Sequence, residues 1–180
     1  MELPDQGIDS VHSSIGWILG DHIEDLTLLG SVGLMGTGNA LDNHITGNDG
    51  GNRLAGGDGA DTLDGGGGAD VLAGGEGADT FRFRSATEGA DIILDFEAGF
   101  DMIAVSASGF GLEQATDLIL ASRLQINEAG SAVGTMAQFV FSTATTLLHF
   151  DDNGEGPGRT TLLADFAGAT VTATDFVLIA

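Results

Sequence analysis

Large apolar residues recur at every ninth position across the glycine-rich stretch from residue 38 to residue 82. In each nine-residue unit the apolar residue stands eighth, between neighbours that point the other way, an alternation typical of a short β-strand. These apolar residues are Ile45, Leu54, Leu63, Leu72 and Phe81. The preceding residues are too rich in glycine for a helix, because each interior glycine costs about 1 kcal/mol relative to alanine. Each unit is therefore predicted to be a turn followed by a short strand.

The five units read GNALDNHIT (38–46), GNDGGNRLA (47–55), GGDGADTLD (56–64), GGGGADVLA (65–73) and GGEGADTFR (74–82). Two consecutive units would bring the chain around once and place each strand about 4.8 Å from the strand one turn earlier. The pattern thus predicts a parallel β-roll with a single file of apolar side chains on each side. So thin a core cannot by itself offset the entropy of ordering this much glycine, at about 1–2 kcal/mol per residue.

An amide or a carboxylate stands at the sixth position of every unit, at Asn43, Asn52, Asp61, Asp70 and Asp79. Stacked carboxylates repel each other at a few ångströms unless a cation separates them. Carboxylate and backbone carbonyl oxygens in a flexible arrangement suit Ca²⁺ better than Mg²⁺. The other predicted calcium ligands are residues of the same turns: Gly47, Asp49, Gly56, Asp58, Gly59, Gly65, Gly67, Gly68, Gly74, Glu76 and Gly77.

The unit resembles the RTX (hemolysin-type) calcium-binding nonapeptide repeat, G-G-x-G-x-D-x-U-x. Three of the five copies match it closely, and the two with Asn are expected to bind calcium more weakly because an amide oxygen is neutral. The resemblance implies a right-handed β-roll, and the stacking pairs 38/56, 47/65 and 56/74 predict about three calcium ions in it. Two alternatives fit less well. A single such unit is explained by an Asx turn, and a disordered tract would not keep its apolar residues in phase.

Further aspartates follow the last unit. Asp91, Asp95 and Asp101, with Phe96 and Gly99, resemble the D-x-x-x-D-F-x-x-G-x-D segment that follows the roll in RTX domains of serralysin-type proteases and alginate epimerase R-modules. This resemblance implies that some of these acids close the last calcium site. The alternative is that they are solvated loop acids.

A second acidic motif, DDNGEGPG, places Asp151, Asn153 and Glu155 at alternate positions, as in the first half of an EF-hand loop. Leu162 stands where that loop requires its twelfth-position Glu, and no helices flank the motif. It is therefore predicted to be a hairpin turn, and a calcium ion there is the open alternative. Near the cap, one or two ions beyond the three of the roll are expected.

We expect one continuous, elongated all-β domain. Residues 1–37 form a leader of irregular β-rungs, residues 38–82 form the calcium roll, and residues 83–180 form a C-terminal capping and secretion-signal region. That region is expected to be β-sandwich-like, with one short helix over 112–122 and strands near 124–126, 138–142, 145–150, 160–167 and 171–179. The side chains of the leader that are predicted to point inward are Val11, Ile15, Trp17, Leu19, Ile23, Leu26, Leu28 and Leu34.

Composition excludes several classes of function. The chain carries 27 Asp and Glu against 5 Arg and no Lys, a formal charge of −22. Nucleic acid is therefore not an expected partner, because a phosphate backbone needs basic residues to neutralise it. No apolar run is long enough to span a membrane. No cysteine is available for a disulfide or a thiolate metal site.

No catalytic motif is recognisable, so the chain is not predicted to be an enzyme. Its four histidines are isolated and none begins an HExxH sequence, which rules out the zinc site of serralysin-type proteases. A G-x-S-x-G nucleophile elbow is absent. With no Tyr and no Lys, the usual partners of a polysaccharide epimerase or lyase are missing.

The predicted function is a calcium-binding RTX module that folds on binding calcium and serves the secretion of an exported, extracellular bacterial protein. The N-terminus lacks a signal peptide, while the ending DFVLIA resembles the C-terminal signal read by type I secretion machinery. The chain is expected to be the C-terminal part of a longer polypeptide or, alternatively, a short free-standing protein. The alternative function is polysaccharide or surface binding, as in R-modules, through Arg82, Arg84 and Trp17.

Overall fold

A computed structural model gives the fold over residues 7–112, 123–130, 137–152 and 160–179. Nearly all regular structure in these ranges is β. The strands are β1 Ser10–Ser13, β2 Trp17–Ile18, β3 Asp25–Leu28, β4 Met35–Thr37, β5 His44–Thr46, β6 Arg53–Asp58, β7 Thr62–Asp64, β8 Val71–Glu76, β9 Thr80–Phe83, β10 Asp91–Ile93, β11 Met102–Ser106, β12 Leu124–Asn127, β13 Gln138–Ser142, β14 Leu147–Asp151, β15 Thr160–Asp165 and β16 Phe176–Ile179.

The strands lie in two sheets that the chain visits alternately from β1 to β11. One sheet has seven strands in the order β1-β3-β5-β7-β9-β11-β16. The other has nine strands in the order β12-β13-β14-β15-β10-β8-β6-β4-β2. Neighbouring strands within the wound part are parallel. The predicted parallel β-roll is therefore confirmed.

The register has the period that the repeat predicts. Thr62 pairs with Thr80, and Arg53 pairs with Val71, so that each strand lies beside the strand eighteen residues later. The turns lengthen downstream of the repeats, where Val71 pairs with Ile92. The roll thus continues past Phe81, where the nine-residue phase of the sequence ends.

The apolar eighth positions form the core. Ile45, Leu54, Leu63, Leu72 and Phe81 are all at most 1% exposed. At the N-terminal end of the roll the sequence prediction was partly wrong, since Ile15 is 64% and Trp17 is 40% exposed. Trp17 pairs with Gly36 in the column of eighth positions, but its strand is the last of its sheet. It is half-covered because no further rung packs on it within the described residues.

The C-terminal strands extend both sheets. Strand β16 pairs in parallel with β11, while β15 joins β10, and β14 runs antiparallel to both β13 and β15. Between the sheets the core here is aromatic, with the rings of Phe110, Phe139 and Phe150 at centroid distances of 4.9–5.1 Å. Asp151 pairs with Thr160 in the antiparallel β14–β15 ladder, while the predicted hairpin turn between them falls on residues 153–159, outside the described residues.

Two expectations about helices have different outcomes. The helix predicted over 112–122 falls almost entirely on residues 113–122, which lie outside the described residues. The one helical element longer than a single residue in the described ranges is the 3-10 turn Ala173–Asp175, just before β16. Within these same ranges, no helix has the length and apolar character needed to cross a membrane.

Candidate calcium sites

The sixth-position carboxylates form a ladder along the seven-stranded sheet. Asp61 Oδ1 accepts the backbone N–H of Asn43 at 2.8 Å, and Asp79 Oδ1 accepts that of Asp61 at 2.9 Å. Asp101 continues the series by accepting the N–H of Asp79 at 2.9 Å. Each turn is thereby tied to the turn before it by one carboxylate oxygen.

A second ladder follows the nine-stranded sheet. Asp70 Oδ1 accepts the N–H of Asn52 at 2.7 Å, and Asp91 Oδ1 accepts that of Asp70 at 3.0 Å. All these aspartates are at most 3% exposed. Asp91 and Asp101 therefore occupy sixth positions of two irregular turns, which places them in the ladders rather than in solvated loops.

The remaining oxygens of two of these carboxylates lack a protein partner. Oδ2 of Asp61 and Oδ2 of Asp70 are buried and accept no hydrogen bond within the described part of the chain. A buried carboxylate oxygen in that condition is costly, and in native proteins it marks a site for a water or a cation. The donor set, carboxylate oxygen beside glycine backbone, is one that Ca²⁺ accepts.

The first glycine of each unit makes room for the sixth-position side chain. A Cβ built on Gly56 would come well within 3.0 Å of Asp61 Oδ2, and the same holds for Gly65 with Asp70 and for Gly74 with Asp79. Real Cβ atoms do not approach so closely. The carboxylate thus lies directly against the backbone of its own turn, which brings its free oxygen close to the turn.

The turns also need glycine because their backbones approach each other. Gly57 has φ +126° and Gly75 has φ +109°, values that L side chains rarely adopt. A Cβ on Gly75 would meet the carbonyl oxygen of Gly57, one turn earlier. Successive turns thus stack backbone against backbone, with a carbonyl oxygen of one turn beside the glycine of the next.

The two asparagines close their turns differently. Asn43 Nδ2 donates to the carbonyl oxygens of Ile23 at 3.2 Å and Glu24 at 3.3 Å. Asn52 Nδ2 donates to the carbonyl oxygen of Gly50 in a short hydrogen bond. Unlike the carboxylates, these amides therefore donate to backbone carbonyl oxygens, and the weaker calcium binding expected at Asn43 and Asn52 stays a prediction.

The acids outside the sixth positions have varied surroundings. Asp49, Asp58 and Glu76, at third positions, are exposed. Asp95 accepts the N–H groups of Gly74 at 2.9 Å and Gly75 at 3.1 Å, so it joins the segment after β10 to the C-terminal half of β8. Asp151 is fully buried in β14.

Asn153 and Glu155, the other predicted ligands of the DDNGEGPG motif, lie outside the described residues. In the described ranges no three acidic or histidine side chains converge to hold a metal by themselves. A calcium ion in the roll would therefore need backbone carbonyls among its ligands, as the repeat predicts.

One structural acid of this region was not predicted. Asp175 is 1% exposed; its Oδ1 accepts the N–H of Gly99 at 3.1 Å and its Oδ2 accepts the N–H of Thr172 at 2.7 Å. It joins the last strand to the final turn of the roll. No local pattern marks it, because its partner Gly99 is 76 residues away in sequence.

Burial disfavours the charged form of the ladder carboxylates in the metal-free chain. It raises the pKa of Asp61 to about 6 and that of Asp91 to about 7, with neighbouring carboxylates adding to the effect and backbone hydrogen bonds opposing it. Burial also raises the pKa of Asp70 and of Asp79. A divalent cation would favour the ionised form of all four.

These pKa values predict that protons partly replace calcium. A carboxyl group with a raised pKa binds more protons folded than unfolded, so in EDTA the stability of the folded form falls as pH rises from about 4 to about 7. We therefore expect more β-structure by circular dichroism at pH 5 than at pH 8 in EDTA. Asp91→Asn should weaken the dependence of stability on pH near pH 7, whereas Asp21→Asn, at an exposed acid, should leave that dependence unchanged. Stability that rises with pH over this range would contradict the raised pKa values of the ladder carboxylates.

Residues 37–81 match the family model of the RTX calcium-binding nonapeptide repeat in four copies. No curated protein matches the chain in sequence.

Two solved structures from the Azotobacter vinelandii mannuronan C5-epimerase are similar to the chain. The AlgE6R2 subunit is 28% identical, with a TM-score of 0.44, over 79% of this chain and 91% of that subunit. The AlgE6R3 subunit is 27% identical, with a TM-score of 0.41, over 97% of this chain and 81% of that subunit.

The repeat period, the buried sixth-position ladders and the family match all concern the same residues. The segment 37–81 of this all-β chain is an array of RTX calcium-binding nonapeptide repeats.

Proposed function

We propose that the chain is a calcium-dependent folding module whose β-roll becomes stable when calcium binds between its turns. The observation that carries this proposal is the pair of buried, unpartnered oxygens, Oδ2 of Asp61 and Oδ2 of Asp70, in the described part of the roll. Each lies against a turn where a glycine leaves no room for a side chain. A cation between the turns would compensate both oxygens, and the surrounding carboxylate and carbonyl oxygens are ligands that Ca²⁺ accepts.

The ligands we assign are the carboxylates of the two ladders together with carbonyl oxygens of the glycine turns. Asp61 and Asp79 would serve one side of the roll, and Asp70 and Asp91 the other. Calcium would supply the positive charge that lets these buried carboxylates stay ionised. The residues themselves orient the oxygens, since Oδ1 of each aspartate is fixed by the backbone N–H of the preceding turn.

The biological role follows from where calcium is abundant. Because metal binding supplies folding free energy, the chain would stay unfolded at low cytosolic calcium and fold at extracellular calcium. This behaviour suits a bacterial protein that is exported unfolded, through type I secretion machinery, and folds outside the cell. The charge of −22 supports the proposal, because self-repulsion opposes compaction until cations bind.

Polysaccharide binding stays a prediction. The two arginines that were its candidate residues, Arg82 and Arg84, both lie near the buried Asp64, at 3.9 Å and 2.7 Å. Their charge is therefore partly used within the roll. The site geometry favours the folding module instead.

The test is a calcium titration of the full chain, followed by circular dichroism. We expect a largely unfolded spectrum in EDTA and a β-sheet spectrum at millimolar calcium, with the change reversed by chelation. Magnesium at the same concentration is the control and should fail to induce the full β signal, because it requires near-octahedral geometry and keeps its waters. A complete β spectrum in EDTA at neutral pH would refute the proposal.

A further inference from the structure

A buried carboxylate outside the ladders has an unusual partner. Asp64 ends β7 directly before the glycine turn at 65–68, and it is 1% exposed. It stands at the ninth position of its unit, where two of the other units carry alanine. A carboxylate buried to this extent is stable only if a cation or several donors compensate it.

Arg84 supplies that cation. Its Nε lies 2.7 Å from Asp64 Oδ2, and its Nη2 donates to Asp64 Oδ1 at 2.8 Å, which is a two-pronged ion pair. The backbone N–H of Gly66 also donates to Asp64 Oδ1, at 3.2 Å. Arg82, which pairs with Asp64 across the strands, has its Nε 3.9 Å from Asp64 Oδ2.

The same guanidinium faces a second acid, which belongs to the next turn of the stack. Glu88 Oε1 lies 3.7 Å from Arg84 Nε, and Glu88 Oε2 accepts the backbone N–H of Arg84 at 2.8 Å. The carbonyl oxygen of Glu88 accepts the N–H of Gly68 at 2.6 Å. Arg84 therefore stands between an acid before the 65–68 turn and an acid in the turn stacked on it.

We propose that the Arg84 guanidinium is a cation carried by the chain that joins these two turns without calcium. This inference rests on the proposed function. It contrasts the contact of Arg84 with Asp64 and Glu88, called the joint below, with the ladder carboxylates, which have no arginine opposite them in the described residues. A guanidinium stays charged at every physiological pH and calcium concentration. The joint between these two turns therefore contains a positive charge whether or not calcium is bound.

Hydrogen exchange of the full chain in EDTA at pH 5, where the calcium-free chain keeps the most structure, tests the joint directly. We expect the amides of Gly66, Gly68 and Arg84 to exchange roughly tenfold more slowly than the ladder amides of Asn43 and Asn52. The reason is that Arg84 compensates the acids of the joint without calcium, whereas the carboxylates that accept the Asn43 and Asn52 amides have no cation beside them in the described residues. Added calcium should remove most of that difference. Equal exchange rates in EDTA would overturn the proposal.

Arg84→Gln tests the charge. It leaves the Asp64 carboxylate buried with only the more distant Arg82, so the calcium concentration at half-folding should rise roughly tenfold. Asp64→Asn with Arg84→Gln removes both charges and should recover much of the loss. The control is Arg53→Gln, at an exposed arginine that forms no ion pair with the described residues.

The outcomes of these experiments distinguish the Arg84 joint from the proposed function. If the wild-type chain is fully folded in EDTA, the proposed function fails, and the joint is then judged from urea unfolding of the same variants. If Arg84→Gln does not fold at any calcium concentration, recovery in the double variant supports the joint and lack of recovery overturns it. An effect of Arg84→Gln no larger than that of Arg53→Gln also overturns it.

Discussion

Replacing Gly56 by alanine is expected to abolish calcium-induced folding of the roll or to shift it to much higher calcium. The new Cβ would come well within 3.0 Å of both Asp61 Oδ2 and the carbonyl oxygen of Gly74. Backbone cannot yield as a flexible side chain does, and overpacking of this kind costs about 1–3 kcal/mol or more. The same change also displaces Asp61, so the steric cost and the loss of a calcium ligand add together.

Gly20→Ala is the matched control, because nothing lies within 4 Å of a Cβ at that position and its φ is ordinary. The calcium titration by circular dichroism should leave this variant close to wild type. Equal midpoints for Gly56→Ala and Gly20→Ala would show that the carboxylate does not lie against the first glycine of its unit. The close packing of the sixth-position side chain against the first glycine would then be wrong.

Asp61→Asn is expected to act in opposite directions with and without calcium. With calcium, the variant loses an ionised ligand, so the calcium midpoint should rise by at least the roughly 10–100-fold that loss of an outer-shell partner costs a metal site. In EDTA the variant should be as stable as wild type or more stable, because a buried carboxylate with a pKa of about 6 has been removed. Asn43 and Asn52 show that an amide at the sixth position finds backbone acceptors for its own donors.

The measurement is a pair of urea titrations, one in EDTA at pH 5, where residual structure is greatest, and one in saturating calcium at pH 7.5. Asp21→Asn removes the same charge from an exposed residue and serves as the control. It should change stability little under either condition. Loss of stability in both conditions would indicate that Asp61 acts through its hydrogen bond to Asn43 alone.

The sequence was sufficient to predict the roll because nine-residue periodicity constrains the backbone strongly. The glycine turns, the buried eighth positions and the eighteen-residue register all follow from one repeated unit. Asp70 and its neighbour Asn52 come together as expected, since register alone determines which sixth positions stack.

Other features could not be read from the repeat. The turns after Phe81 contain extra residues, so the phase of the sequence is lost even though Asp91 and Asp101 keep their sixth-position role. Asp175 reaches the roll through tertiary packing. Arg84 lies two residues beyond Arg82, the residue that pairs with Asp64 in the regular register, and no spacing rule predicts that its side chain contacts Asp64.

The N-terminal rungs show a different limit of predicting burial from the sequence. Alternation predicted that Ile15 and Trp17 point into a core, but it cannot tell whether a neighbouring rung exists to cover them. Trp17 occupies a core column and is nevertheless 40% exposed, because its strand lies at the edge of the sheet. Burial in a solenoid depends on the next turn as much as on the direction of the side chain.

We propose above all that a divalent cation binds at the buried carboxylate oxygens between glycine turns. Anomalous diffraction from crystals of the full chain grown in millimolar calcium tests it most directly. Anomalous peaks are expected beside Asp61 Oδ2 and beside Asp70 Oδ2, each within about 2.3–2.6 Å of the carboxylate and of turn carbonyls. Well-ordered density for both aspartates with water, or nothing, at those positions would contradict it.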